Sequence, residues 1–191
     1  MKRVALVALV GMVGWSGMVC GEPVALFDGK TLTGWKVPKE NKWWSVVEGV
    51  LVGENDEKKK GSILWTEKEY GDFVFEGEFR YEGKIDSGVF LRVEREQIQI
   101  GISGSLKVDM TCSPYIAGKG YPKKAEVADI LKEGEWNKIR IAVTGGNYKV
   151  WLAGKEVMDY TSETAVAKGP IGLQVHPGRE MKVEFRGMTV E

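Results

Sequence analysis

The chain has 191 residues, enough for one well-cored domain. Its 27 basic and 27 acidic residues balance, and no basic block or arginine-rich stripe stands out. Nucleic acid is therefore not an expected partner, because phosphate binding needs a positive footprint.

The opening "MKRVALVALVGMVGWSGMVCGEPV" has a basic start at Lys2 and Arg3, an apolar run from Val4 to Val13, and small residues near Gly21. It reads as a secretory signal over residues 1–21, cleaved after Gly21, which predicts a periplasmic or secreted domain over 22–191. The apolar run is short of the about 20 residues a membrane span requires, so no span is expected in the mature chain. A lipid anchor at Cys20 is disfavoured, since Val19 stands where lipoprotein signals carry a small residue. Loss of Lys2 and Arg3 would leave 25 basic against 27 acidic residues, a net of −2. Only Cys112 then remains. An intramolecular disulfide is excluded, and a buried, unreactive thiol is expected.

Beyond the leader, valine, aromatics and glycine are abundant and prolines few, a composition that favours strands joined by tight turns. Strands are predicted at Ala25–Phe27, Trp44–Val47, Val50–Gly53, Ile63–Trp65, Phe73–Tyr81 and Gly88–Val93. More follow at Gln97–Ile102, Asn137–Thr144, Tyr148–Leu152, Lys155–Tyr160, Gly169–Val175 and Met181–Val190. Glu48-Gly49, Gly145–Asn147 and Ala153-Gly154 supply hairpin turns. Short strands without a long helical period predict an all-β antiparallel sandwich. Residues 101–135 break the rhythm. A long irregular excursion of this kind is usually functional or disordered. Its Met110, Tyr115, Ile116 and Tyr121 argue for an ordered loop packed over or beside a polar sheet face, with one short helix at Ala125–Lys132.

Polar residues recur at alternate positions of several strands, which places them on the face opposite the core. Phe73, Phe75, Gly77, Phe79 and Tyr81 share one face of their segment, and Glu76, Glu78 and Arg80 share the other. Cross-strand ion pairs on a solvated face would explain the second set. Paired carboxylates dividing acid and base duties would also explain it, although two residues of strand rise separate Glu76 from Glu78 by roughly 7 Å. Arg92 shares a predicted face with Gly88 and Phe90, and Gln97 and Gln99 share another. Gln174 and His176 lie opposite Ile171, Leu173 and Val175. His176 is the only histidine, so any imidazole chemistry must use it. Together these segments could bring acids, arginines, amides and the histidine onto one sheet surface suited to a sugar-like ligand. Among the tryptophans, Trp35 and Trp43 flank a turn-rich segment and are the candidates for exposure. The patterns for a zinc site, a phosphate loop, a nucleophile elbow and a dinucleotide fingerprint are missing. A calcium site built from scattered carboxylates stays open, as does the oligomeric state.

The ordered set "LFDGKTLTGWK", "WSVVEGVLVG", "YGDFVFEGEFRY", "DSGVFLR", "GEWNKIRI", "VWLAGKEV", "GPIGLQVHPG" and "VEFRGMTV" resembles the 3-keto-disaccharide hydrolase domain family over about residues 24–191. The resemblance implies a concanavalin A-like jelly roll of two antiparallel sheets. It also implies an exported enzyme acting on an oligosaccharide or glycoside oxidised at C3, by C2 proton abstraction, elimination and hydration. By resemblance, Glu78 or His176 would be the base and Arg92 the enolate stabiliser. Arg80, Gln97, Gln99, Gln174 and, from the long loop, Asp109 would contact substrate. No cofactor is implied with certainty, and a divalent metal stays possible. The chain departs from the family where relatives carry acids and it has Gln97, Gly101 and Val175. These losses leave a non-catalytic carbohydrate-binding module as the alternative.

Overall fold

A computed structural model describes residues 22–191, so the expected leader lies outside the described residues. Fourteen strands are present among them. They are β1 (Val24–Ala25), β2 (Trp35–Lys36), β3 (Trp44–Val47), β4 (Val50–Glu54), β5 (Ser62–Thr66), β6 (Phe73–Tyr81) and β7 (Asp86–Leu91). The rest are β8 (Glu96–Gly101), β9 (Pro114–Ile116), β10 (Asn137–Thr144), β11 (Asn147–Leu152), β12 (Lys155–Thr161), β13 (Ile171–Val175) and β14 (Lys182–Val190).

All pairings are antiparallel and form two sheets. The larger runs β12-β11-β10-β6-β14-β4-β3, with β1 added beside β14, and the smaller runs β2-β5-β13-β7-β8-β9. The fold is the concanavalin A-like jelly-roll sandwich. Period-two alternation sets the layers. Phe73, Phe75, Phe79 and Tyr81 of β6 and Ile139, Ile141 and Val143 of β10 face inward. They meet Val89, Leu91, Ile98, Ile100, Ile171 and Leu173 from the smaller sheet in one core. Two hairpins close on turns whose central residues both have positive φ: Glu48-Gly49 (50° and 84°) and Ala153-Gly154 (48° and 83°). That geometry matches strand twist and explains the glycine in each turn.

The expected ordered excursion is present, but the helix at Ala125–Lys132 is not. That stretch contains turns, with Ile130 and Leu131 both donating to the Val127 carbonyl. Instead the excursion contributes β9, a three-residue edge strand too short to leave a sequence pattern. Met110, Cys112, Ile116, Ala125 and Val127 pin the loop into the core. Cys112 is fully buried, and burial pushes its thiol pKa up. Trp35 is also buried, its Nε1 donating to the Leu26 carbonyl at 2.9 Å, so of the two tryptophans expected at the surface only Trp43 is partly exposed.

Candidate functional site

The outer face of the smaller sheet forms a cleft of about 540 Å³. Its floor is written in the strand register. Gly88 pairs with Gln99, Phe90 with Gln97 and Gly172 with Phe90, so alternate residues of β7, β8 and β13 stand side by side. Asp86, Phe90, Gln97, Gln99 and Gln174 line the cleft from these strands. His176, Pro177, Gly178 and Arg179 wall it from the loop after β13, and Tyr115, Tyr121, Ser103–Ser105 and Lys107 wall it from the long excursion. A neighbouring hollow of about 710 Å³ shares Glu94, Gln174, His176 and Pro177 and extends the surface to Ile63 and Trp65 of β5.

Aromatic rings supply flat apolar surface. Trp65 and Phe90 lie 5.5 Å apart between ring centroids. They approach across Gly172, where a Cβ would come within 2.7 Å of the Trp65 ring. Tyr115 and Tyr121 pair at 5.2 Å on the opposite rim. Burial pushes the Tyr121 phenol up to about 12, so it is a neutral hydroxyl at ordinary pH.

Polar groups supply direction. Gln97 Nε2 donates to Gln99 Oε1 at 3.1 Å, and Gln99 Nε2 donates to Asp86 Oδ1 at 2.8 Å. Asp86 Oδ2 lies 3.6 Å from Arg179 Nη2. Gln97 Oε1 and Gln174 Oε1 are buried without a partner. Buried unpaired acceptors cost stability, so two of them in one cleft point to a hydrogen-bonding ligand. His176 Nδ1 lies 2.7 Å from the Pro177 carbonyl oxygen. A carbonyl only accepts, so Nδ1 carries the hydrogen and the neutral ring keeps its lone pair on Nε2. The His176 backbone is tied down as well, its carbonyl accepting from Asn55 Nδ2 at 3.0 Å.

Of the residues singled out in the sequence, Gln97, Gln99, Gln174 and His176 come together here. Glu78, Arg80, Arg92 and Asp109 do not, and the expectation that Glu78, Arg92 and His176 share one concave surface is corrected. The strand β6 belongs to the other sheet, so Glu76, Glu78 and Arg80 face outward on the far side of the sandwich. There Glu78 accepts from Arg186 Nε at 2.8 Å, Arg80 Nε donates to Glu184 at 2.6 Å, and Glu76 pairs with Lys138 and Arg140 at 3.2 Å. This is the arrangement of cross-strand ion pairs on a solvated face. Arg80 and Arg186 also stack on Trp136.

Arg92 lies just past β7 with φ at 67°, which breaks strand alternation and turns its side chain away from the Phe90 face. It is buried, donating to the Gly145 and Val166 carbonyls at 2.8 Å and to Asp72 at 3.1 Å. Asp109 accepts from the Tyr81 hydroxyl at 3.3 Å and from the Thr111 amide at 2.8 Å. It lines a separate cavity of about 230 Å³ with Tyr81, Lys124 and Val127.

The sequence reading did not single out Asp86, Arg179, Tyr115 and Tyr121 as site residues. The alternation of Asp86 with Gly88 and Phe90 was the available signal. A second buried carboxylate, Glu96, also went unnoticed. It points into the sandwich and accepts from Tyr148, Ser162 and Thr164, away from the cleft. Gly101 has φ at 86°, and a Cβ there would meet the Ile85 carbonyl at 2.6 Å. Val175 is packed in the core. Among the described residues, no group of three or more His, Cys, Asp or Glu is placed to hold a metal ion. No helix among them is long and apolar enough to cross a membrane.

Solved structures similar to this chain include two glycosyl-hydrolase candidates from Parabacteroides distasonis. One is 22% identical with a TM-score of 0.69, covering 90% of this chain and 99% of that one. The other is 19% identical with a TM-score of 0.67, covering 88% and 93%. The carbohydrate-binding module CBM66 from Bacillus subtilis is 18% identical with a TM-score of 0.55, covering 83% and 96%. At these identities the likeness establishes the fold. No curated protein matches the chain. Residues 22–191, the whole of the sandwich, match the 3-keto-alpha-glucoside-1,2-lyase-like domain, and the chain belongs to that family, which ties it to carbohydrate chemistry.

Proposed function

We propose that the cleft on the smaller sheet binds a 3-keto-glycoside and that His176 Nε2 is the base that starts its cleavage. The observation that carries this reading is the His176–Pro177 contact, which leaves the Nε2 lone pair free beside a cleft of amides, phenols and aromatic faces. In the proposed reaction Nε2 takes the C2 proton, acidified by the C3 ketone, and the electron pair moves onto the C3 oxygen as an enolate. Return of that pair re-forms the ketone and expels the C1 substituent, which takes up a proton. Water then adds at C1 and C2 is reprotonated, so the net result is hydrolysis. Lys107 and Arg179 line the same cleft and are the cations available to stabilise enolate charge. Family membership and the leader-like opening support an exported carbohydrate-active protein.

A non-catalytic binding module is the second reading, because the buried carboxylate of the cleft, Asp86, is committed to Gln99 and Arg179, while the other carboxylate that lines it, Glu94, is exposed. The test is incubation of the protein covering residues 22–191 with a 3-keto-disaccharide and with its unoxidised parent, with added divalent metal and with chelator, followed by mass spectrometry. Cleavage of the keto sugar alone is expected. Ligand-induced thermal stabilisation without turnover of either sugar would replace the enzyme reading with the binding module.

A further inference from the structure

The hydrogen bonds on the cleft floor run in one direction. Asp86 accepts from Gln99, Gln99 accepts from Gln97, and Gln97 Oε1 ends the chain without a partner. Asp86, Gln97 and Gln99 are 3%, 5% and 0% exposed, so water does not compete freely for these groups. A carboxylate oxygen only accepts, and it therefore selects the nitrogen end of Gln99. A primary amide has one donor end and one acceptor end, so that choice passes along the chain. Gln99 turns its oxygen to Gln97, which turns its nitrogen to Gln99 and its oxygen away. Gly88 leaves room for that oxygen, since a Cβ there would lie 2.6 Å from Gln97 Oε1.

We propose that Asp86 is a positioning residue that fixes Gln97, through Gln99, as a hydrogen-bond acceptor, so that the cleft selects a ligand hydroxyl or N–H donor at this point. The proposal rests on the cleft being a carbohydrate site. A sugar hydroxyl satisfies the orphan oxygen, whereas a keto oxygen or a fluorine facing it does not. This contact therefore discriminates by donor count rather than by shape. The direction of the relay depends on residue 86 having no donor. In Asp86→Asn the side chain keeps its size, but Arg179 attracts the amide oxygen and turns the nitrogen toward Gln99. The order then reverses, and Gln97 presents its nitrogen instead.

Side-chain amide exchange by NMR tests this without any ligand. In the wild type the Gln97 and Gln99 side-chain amides each have one protected hydrogen. In Asp86→Asn, Gln97 becomes the terminal donor and its side-chain exchange should accelerate about tenfold or more, while Gln99, now donating to Gln97, stays protected. Continued protection of the Gln99 backbone N–H, bonded to the Ser113 carbonyl at 2.9 Å, shows that the fold has held. The functional arm is calorimetric titration with trehalose and its monodeoxy and deoxyfluoro analogues. The wild type should show one ring position where fluorine for hydroxyl weakens binding about tenfold or more, and Asp86→Asn should bring that ratio to about one. If Asp86→Asn does not fold, Gln97→Met must erase the same preference. Unchanged Gln97 exchange in a folded Asp86→Asn protein, no hydroxyl preference in the wild type, or a preference that survives Gln97→Met would each overturn the proposal. Failure of the keto-glycoside reaction would instead appear as lost turnover with the exchange result intact.

Discussion

At His176 the Pro177 carbonyl accepts the hydrogen bond of Nδ1–H, which leaves the lone pair on Nε2 of a residue that lines the cleft. Removing the ring in His176→Ala should lower keto-glycoside turnover by about 10²–10⁴-fold, the range general bases contribute, with thermal stability little changed. Glu78→Gln should leave turnover within about twofold and stability within about 0.5 kcal/mol, because its partner Arg186 is also partly exposed. Steady-state rates for both variants check the assignment. Arg92 has a different job. Its guanidinium satisfies two carbonyls from separate loops, so Arg92→Met should cost about 1–3 kcal/mol in urea unfolding while sugar binding persists.

Among the strands, β13 and β14 carry separate predictions. The ring of Trp65 lies over β13 only because residue 172 has no side chain. Gly172→Ala should push Trp65 off Phe90, cost about 1–3 kcal/mol and weaken sugar binding; tryptophan fluorescence reads the cost in urea unfolding and the binding in a sugar titration. On β14, burial works against the charged form of Glu184, but hydrogen bonds from Arg80 and Lys182 outweigh it and hold its carboxyl below the ordinary value of 4.5. A lowered folded-state pKa means stability that is present above the unfolded value and is lost as pH falls through the folded one. The stability gap between wild type and Glu184→Gln should therefore be constant at neutral pH and vanish well below pH 4.5, as followed by urea unfolding across that range.

For the whole molecule, the sandwich was legible because period-two alternation is a local signal. The segments Trp44–Val47, Phe73–Tyr81 and Asn137–Thr144 were bounded correctly from it alone. Which sheet each strand joins is not local. A polar face on β6 and a polar face on β8 look alike in sequence, yet one faces solvent on the larger sheet and the other lines the cleft. That is why Gln97, Gln99, Gln174 and His176 lie together on one surface while Glu78 and Arg80, expected beside them, lie on the other sheet. Arg92 was misplaced by a single left-handed residue, which alternation cannot anticipate. The proposed chemistry requires that sugar bind the smaller sheet's outer face. The most direct test is amide chemical-shift mapping of labelled protein titrated with a 3-keto-disaccharide. Shifts should concentrate on β8, β13 and His176–Arg179. Shifts confined to β6, β10 and β14, or none at all, would contradict that requirement.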